Sequence, residues 1–189
     1  APTVAAMGAA VDAILGGADP DADLLPPEIG DDVRLADDLR PEAPYDPARP
    51  LRTVFLTGAT GYLGAYLLHG LLRRTDADVV CLVRAKSEDD GRRRIAANVA
   101  RYLDWDPAWA ERVIPVVGDL GDPRLGLDEA QFREVAERTD AILHNGGVVN
   151  FTLPYRGMRG PNVEGTAWVL RLACAGRAKP VHFVSTLGV

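Results

Sequence analysis

No apolar run in this sequence approaches the roughly 18 to 20 residues of a membrane span, and the N-terminus has no basic region ahead of a short apolar core. A transmembrane helix and a secretory signal are therefore not expected, and the expected setting is cytoplasmic. Cysteine is scarce: Cys81 lies in an apolar strand-like run and Cys174 in a helical one, with no metal-ligand spacing around either, so both read as buried free thiols and no metal site is expected. Internal repeats are absent. A basic face is also missing, which argues against a nucleic-acid partner. The net charge of -6 is concentrated at one end, because residues 1–50 carry eleven acidic residues against three basic ones and the rest carries sixteen against eighteen. With 189 residues, 47% of them hydrophobic and 25% charged, the chain has the composition of an ordinary globular domain.

Two regions follow from the patterning. In residues 2 to about 16, Val4, Met7, Val11 and Ile14 recur at steps of three and four, which predicts an amphipathic helix closed by Gly16-Gly17. From there to Pro50 the chain is rich in Asp and Pro, with eight of the fourteen prolines in the first fifty residues. This stretch reads either as a linker wrapped on the domain surface or as a flexible connector. Residues 51–189 form the second region.

That region is organised around Thr57-Gly58-Ala59-Thr60-Gly61-Tyr62-Leu63-Gly64. The apolar run Val54-Phe55-Leu56 before it reads as a buried strand, and leucines at helical spacing follow it. A glycine turn between strand and helix is the setting in which helix N-terminal amides hold a pyrophosphate. Gly58 permits the tight turn, Gly61 lets phosphates approach the backbone, and Gly64 lets the helix pack on the strand.

Further strands are predicted at Asp78-Val79-Val80-Cys81-Leu82-Val83-Arg84, around Val113-Ile114-Pro115-Val116-Val117, at Ala141-Ile142-Leu143-His144 and at Val181-His182-Phe183-Val184-Ser185. Pro115 suggests an edge position for the third. Ser87 with Asp90, and Asp128 with Gln131, mark helix starts, and a long helix carries Val163, Trp168, Val169, Leu172 and Ala173. Strands alternating with helices predict an α/β fold with a doubly wound parallel sheet in the order 3-2-1-4-5, a Rossmann domain whose ligand lies between the first and fourth strands.

An NAD site carries an acidic residue at the end of its second strand, to hold the ribose 2′-hydroxyl. Here that position reads Arg84-Ala85-Lys86, which points to the 2′-phosphate of NADPH, although a solvated strand end would look the same. Arg92, Arg93 and Arg94 form a second cluster, one of which could fold back over the same phosphate or simply face water. Asp119 and Leu120 follow the third strand where an adenine would rest. Asn145, Gly146 and Gly147 end the fourth strand beside the glycine turn, open to a nicotinamide ribose. His144 reads as structural. Ser185-Thr186 place hydroxyls at the same rim, and the three tryptophans read as core.

With these residues in view the chain resembles an extended short-chain dehydrogenase/reductase. The likeness rests on residues 57–64, Leu82-Val83-Arg84-Ala85, Gly118-Asp119-Leu120, Leu125-Gly126-Leu127, His144-Asn145-Gly146, Asn162-Val163-Glu164-Gly165-Thr166 and Val184-Ser185-Thr186-Leu187. More narrowly it resembles the thioester reductase domain of nonribosomal peptide and polyketide synthetases and of carboxylic acid reductases. The resemblance implies NADPH-dependent reductive release of an acyl or peptidyl chain from the phosphopantetheine thioester of an upstream carrier domain, as aldehyde or alcohol. It implies pyrophosphate binding by Gly58, Gly61 and Gly64, with Thr57, Thr60, Tyr62 and Leu63 around them. It places the 2′-phosphate at Arg84 and Arg94, beside the Lys86 cation already read from the strand end, the adenine at Asp119, and a catalytic hydroxyl at Thr186. A monomer is expected.

Gly147 stands where such domains usually have alanine, and Pro161 is expected to kink the early turn of the last helix. No Tyr is followed four residues later by Lys, so the proton donor of such reductases, and the substrate domain, are expected after Val189. A non-catalytic NADP-binding or interaction module, or a relative such as a sugar epimerase, is the alternative.

Overall fold

β-Branched and aliphatic runs become five short parallel strands: β1 (Thr53–Thr57), β2 (Asp78–Val83), β3 (Val113–Val117), β4 (Ala141–His144) and β5 (Val181–Phe183). In this computed structural model, which describes residues 3–16 and 29–185, they are ordered β3-β2-β1-β4-β5. That is the order read from the sequence. Pro115 lies in β3 at the sheet edge, where its missing N–H removes no ladder bond on the open side.

Residues 1–35 form one compact unit, holding α1 (Val4–Leu15) and the single turn α2 (Ile29–Asp32). Residues 36–189 form the other and contain the sheet. Its helices are α3 (Tyr62–Arg74), α4 (Glu88–Ala100), α5 (Glu129–Arg138), α6 (Tyr155–Arg159) and α7 (Gly165–Cys174). Ser87 Oγ accepts the Asp90 amide to start α4, and Asp128 and Gln131 form a reciprocal capping box on α5. Between α6 and α7 the turn at Gly160–Glu164 widens into a π-helix around Pro161, the irregularity its proline implies.

Alternate strand residues feed two cores. Phe55, Val80, Leu82 and Ile142 pack with α5 and α7, while Leu56, Val79, Cys81 and Val83 pack with α3 and α4. A sheet covered on both faces explains why its strands read as continuous apolar runs. Trp105 and Trp109 pack at the second core in an edge-to-face pair at 5.9 Å, and Trp168 packs at the first. Cys81 is fully buried, which pushes its thiol up to about 12, whereas Cys174 is only half-buried. No helix among the described residues is long and apolar enough to cross a membrane.

Residues 38–52 lie as a strap across the β4 and α7 half of the domain. Asp38 makes a bidentate pair with Arg171 at 3.0 Å, the Glu42 amide donates to the Cys174 carbonyl, and the Ala178 amide donates to Ala43. The strap closes on Asp140, whose carboxylate accepts from Arg49, from the amides of Arg52 and Thr53, and from Arg177. Burial alone would push that carboxyl up, but Arg49 and the two amides outweigh it and hold it below the usual range. Asp140→Ala leaves two guanidiniums and two amides without their acceptor, so a loss of about 3 kcal/mol is expected in urea unfolding. Asp140→Asn, which keeps one acceptor oxygen, should lose less.

Candidate functional site

Four strand ends, those of β1 to β4, open onto one cavity of about 590 Å³ at the point where the sheet order reverses. Its walls are Gly58, Thr60 and Gly61 from the turn after β1, Tyr62 and Leu63 from the first turn of α3, Leu82, Val83 and Arg84 from the end of β2, residues 118–121 after β3, residues 145–148 after β4, and Pro161.

The glycine turn is built by contact as much as by conformation. Gly58 has φ +75°, and a Cβ there would fall 2.8 Å from the Gly146 amide nitrogen. A Cβ on Gly64 would fall 1.9 Å from the Gly58 carbonyl oxygen, so α3 sits against the turn at a distance only glycine allows. Gly61 is the N-cap of α3 and brings no capping side chain, which leaves first-turn amides without intrahelical acceptors at the cavity's edge. From α4, Asn98 Nδ2 donates to the carbonyls of Ala59 (3.1 Å) and Gly61 (2.9 Å) and fixes the turn. A close backbone approach and amides at a helix N-terminus fit a dinucleotide pyrophosphate.

Thr57 is fully buried and does not reach the cavity. Its Oγ1 accepts from the amides of Asn145 (3.1 Å) and Gly146 (2.8 Å), so its proton goes to His144 Nδ1 at 2.7 Å. His144 Nε2 then donates to Thr166 Oγ1 at 3.1 Å, and Thr166 donates to the Asn162 carbonyl. Asn162 in turn clamps Val148, accepting its amide at 2.7 Å and donating to its carbonyl at 2.8 Å. The chain of bonds holds the 145–148 wall in place. A Cβ on Gly147 would come within 3.2 Å of Asn162 Oδ1, which makes glycine the easy fit there.

Burial drives His144 down to about 4 from its ordinary 6.5, so the imidazole is neutral and structural, as the sequence suggested. A base held below its unfolded value stabilises fully above about pH 6.5 and loses that contribution as pH falls toward 4. The stability gap between wild type and His144→Asn should therefore narrow by about 2 kcal/mol between pH 7 and pH 4.5, measured by urea unfolding. A gap that stays constant would show that His144 titrates normally.

At the second strand end Arg84 lines the cavity with an exposed side chain, its Nη1 3.8 Å from Asp119 Oδ2. Arg94 lies outside the lining and donates to the Arg84 carbonyl. Lys86 also lies outside it, its main-chain amide bonded to Asp90. Asp119 and Leu120 line the adjoining wall after β3, and Asn145, Gly146 and Gly147 line the wall beside the glycine turn. The structure thus brings together eleven of the residues singled out, Gly58, Thr60, Gly61, Tyr62, Leu63, Arg84, Asp119, Leu120, Asn145, Gly146 and Gly147, while Thr57 and Gly64 support the site from behind. Thr186 lies outside the described residues. Asn98, Asn162 and Val148 were not singled out as site residues; Asn98 and Asn162 act on partners 14 to 39 residues away, and although Asn162 opens one of the motifs that carry the family likeness, nothing local names its partner.

Fold and cavity define a Rossmann nicotinamide-dinucleotide domain of the extended short-chain dehydrogenase/reductase type. Residues 56–189 match the NAD-binding family described as "Male sterility protein", and the chain belongs to that family. Its relatives include reductase domains. It is 45% identical over 190 residues to one of the linear gramicidin synthase proteins of Brevibacillus parabrevis, covering 98% of this chain and 4% of that protein. It is 44% identical over 136 residues to the L-2-aminoadipate reductase large subunit of Penicillium chrysogenum, covering 71% of this chain and 10% of that protein. Among solved structures, the terminal R domain from the myxalamid PKS-NRPS biosynthetic pathway superposes with a TM-score of 0.82 at 49% identity, over 85% of this chain and 41% of that one. The chain therefore spans a small part, 4% and 10%, of these two curated relatives.

Proposed function

We propose that this chain is the cofactor-holding part of an NADPH-dependent reductase. It would release an acyl or peptidyl chain from the phosphopantetheine thioester of an upstream carrier domain, as an aldehyde or, after a second reduction, an alcohol. The observation that carries the cofactor choice is Arg84 on the cavity wall at the end of β2, where an NAD site would present a carboxylate. The likeness to a terminal R domain and to an aminoadipate reductase supports the reaction class.

When bound, the reduced cofactor supplies a hydride to a carbonyl carbon. The residues of this chain hold and orient it. The first-turn amides of α3 and the turn at Gly58 and Gly61 hold the pyrophosphate, and Thr60, Tyr62 and Leu63 flank it. Arg84 takes the 2′-phosphate, with Arg94 fixing its main chain and Lys86 adding positive charge nearby. Asp119 and Leu120 border the adenine. Asn145, Gly146 and Gly147 border the nicotinamide ribose, and Thr186 is the hydroxyl offered to the substrate carbonyl. A cytoplasmic setting and a monomeric state are part of this proposal.

The test is turnover of a carrier-bound acyl thioester by the full protein, following NADPH oxidation together with free carrier thiol and aldehyde. One thiol and one aldehyde per NADPH oxidised, or one thiol and one alcohol per two NADPH oxidised, is the expected result. Oxidation of NADH alone, or no thiol release with either cofactor, would overturn the reading.

A further inference from the structure

Asp119 faces two ways. Its Oδ1 accepts the Gly121 amide at 2.9 Å, which fixes the carboxylate on the turn after β3, and its Oδ2 then points at Arg84 Nη1, 3.8 Å away across the cavity wall. The Arg84 main chain is pinned separately, because Arg94 donates to its carbonyl. The guanidinium is therefore the free part of Arg84, and Asp119 is the anion within its reach. Both side chains are open to solvent, at 76% and 39% exposure, so this pair is weak enough to be exchanged for another anion.

We propose that Asp119 sets the discrimination between phosphorylated and unphosphorylated dinucleotides by competing with the ligand's 2′-phosphate for Arg84. This rests on the assignment of Arg84 to that phosphate. With the unphosphorylated ligand the pair stays closed and nothing is lost. With the phosphorylated ligand the guanidinium must leave one anion for another, so the net gain from the phosphate is smaller than Arg84 alone could give. The carboxylate limits the preference that the arginine creates. Asp119 is a positioning residue in this account, acting through Arg84.

The test is a double-mutant cycle on the full chain, with dissociation constants for NADPH and NADH measured by calorimetry in wild type, Asp119→Asn, Arg84→Ala and the double variant. Asparagine keeps an Oδ1 acceptor for the Gly121 amide, so the turn is retained, and thermal unfolding of each variant checks it. Asp119→Asn should raise the ratio of NADPH to NADH affinity by about fivefold, an exposed-pair effect. The gain should shrink to under about twofold in the Arg84→Ala background and fade at high salt. Equal weakening of both ligands, with the ratio unchanged, would overturn the proposal and leave Asp119 a plain adenine contact. The same rise in both backgrounds would also overturn it, since the carboxylate would then act on the phosphate directly. Failure of the cofactor assignment shows separately, as a wild type that does not prefer NADPH.

Discussion

Gly64→Ala removes dinucleotide binding, by more than about a hundredfold, and lowers stability by about 3 kcal/mol or more. The methyl group would have to occupy a point 1.9 Å from the Gly58 carbonyl oxygen, and 2.8 Å from its carbonyl carbon, where no atom fits. Both obstacles are backbone, so no side chain can swing aside. Relief requires α3 to move off the turn, which breaks the packing of Ala65 and Leu68 in the second core and carries the first-turn amides away from the cavity. Calorimetry with NADPH and urea unfolding would check both effects. A variant that folds and binds like wild type would mean that the helix stands further from the turn than this structure has it. Alanine at Gly70, in the same helix with nothing within 4 Å of its added Cβ, is the control and should be neutral or slightly stabilising.

Arg84→Ala weakens NADPH binding more than tenfold and leaves NADH nearly unchanged. A charge-assisted contact to a phosphate contributes on the order of 1.5 to 3 kcal/mol, and the ribose hydroxyl of NADH offers no charge to lose. Arg84→Lys should recover part of the affinity, because an ammonium keeps the charge without the fork. If both cofactors weaken together, Arg84 supports the cavity wall, and the preference for a 2′-phosphate must come from Lys86 or Arg93.

Local chemistry made much of the fold readable. Ser87 with Asp90 and Asp128 with Gln131 are contacts three residues apart, and the sequence shows both partners at once. Pro115 marked the edge strand because its missing N–H is a property of one residue. The end of the sheet was less legible: β5 stops at Phe183, two residues before the predicted strand does. Thr57 illustrates the harder case. Its place in the glycine motif suggested a ligand contact, yet its hydroxyl is fully engaged by His144, Asn145 and Gly146, which are 87 to 89 residues away. Arg94 likewise lay in a basic cluster whose members could fold over the phosphate or face water, and only the fold shows that its guanidinium reaches the Arg84 carbonyl. In the leader, composition left the connector open between flexible and wrapped. Its partners, Arg133, Asp140 and Arg171, stand far along the chain, and nothing in the Asp and Pro content names them.

Those same separations set when the strap can form. Arg49 reaches Asp140 across 91 residues, Asp38 reaches Arg171 across 133, and Gly176 reaches Glu42 across 134. Closing loops of that length before the sheet exists would cost chain entropy with no contact yet made to offset it. Docking of residues 38–52 is thus a late event in folding, coming after β4 and α7 are in place. Substitutions in the strap should speed unfolding while leaving the refolding rate nearly untouched.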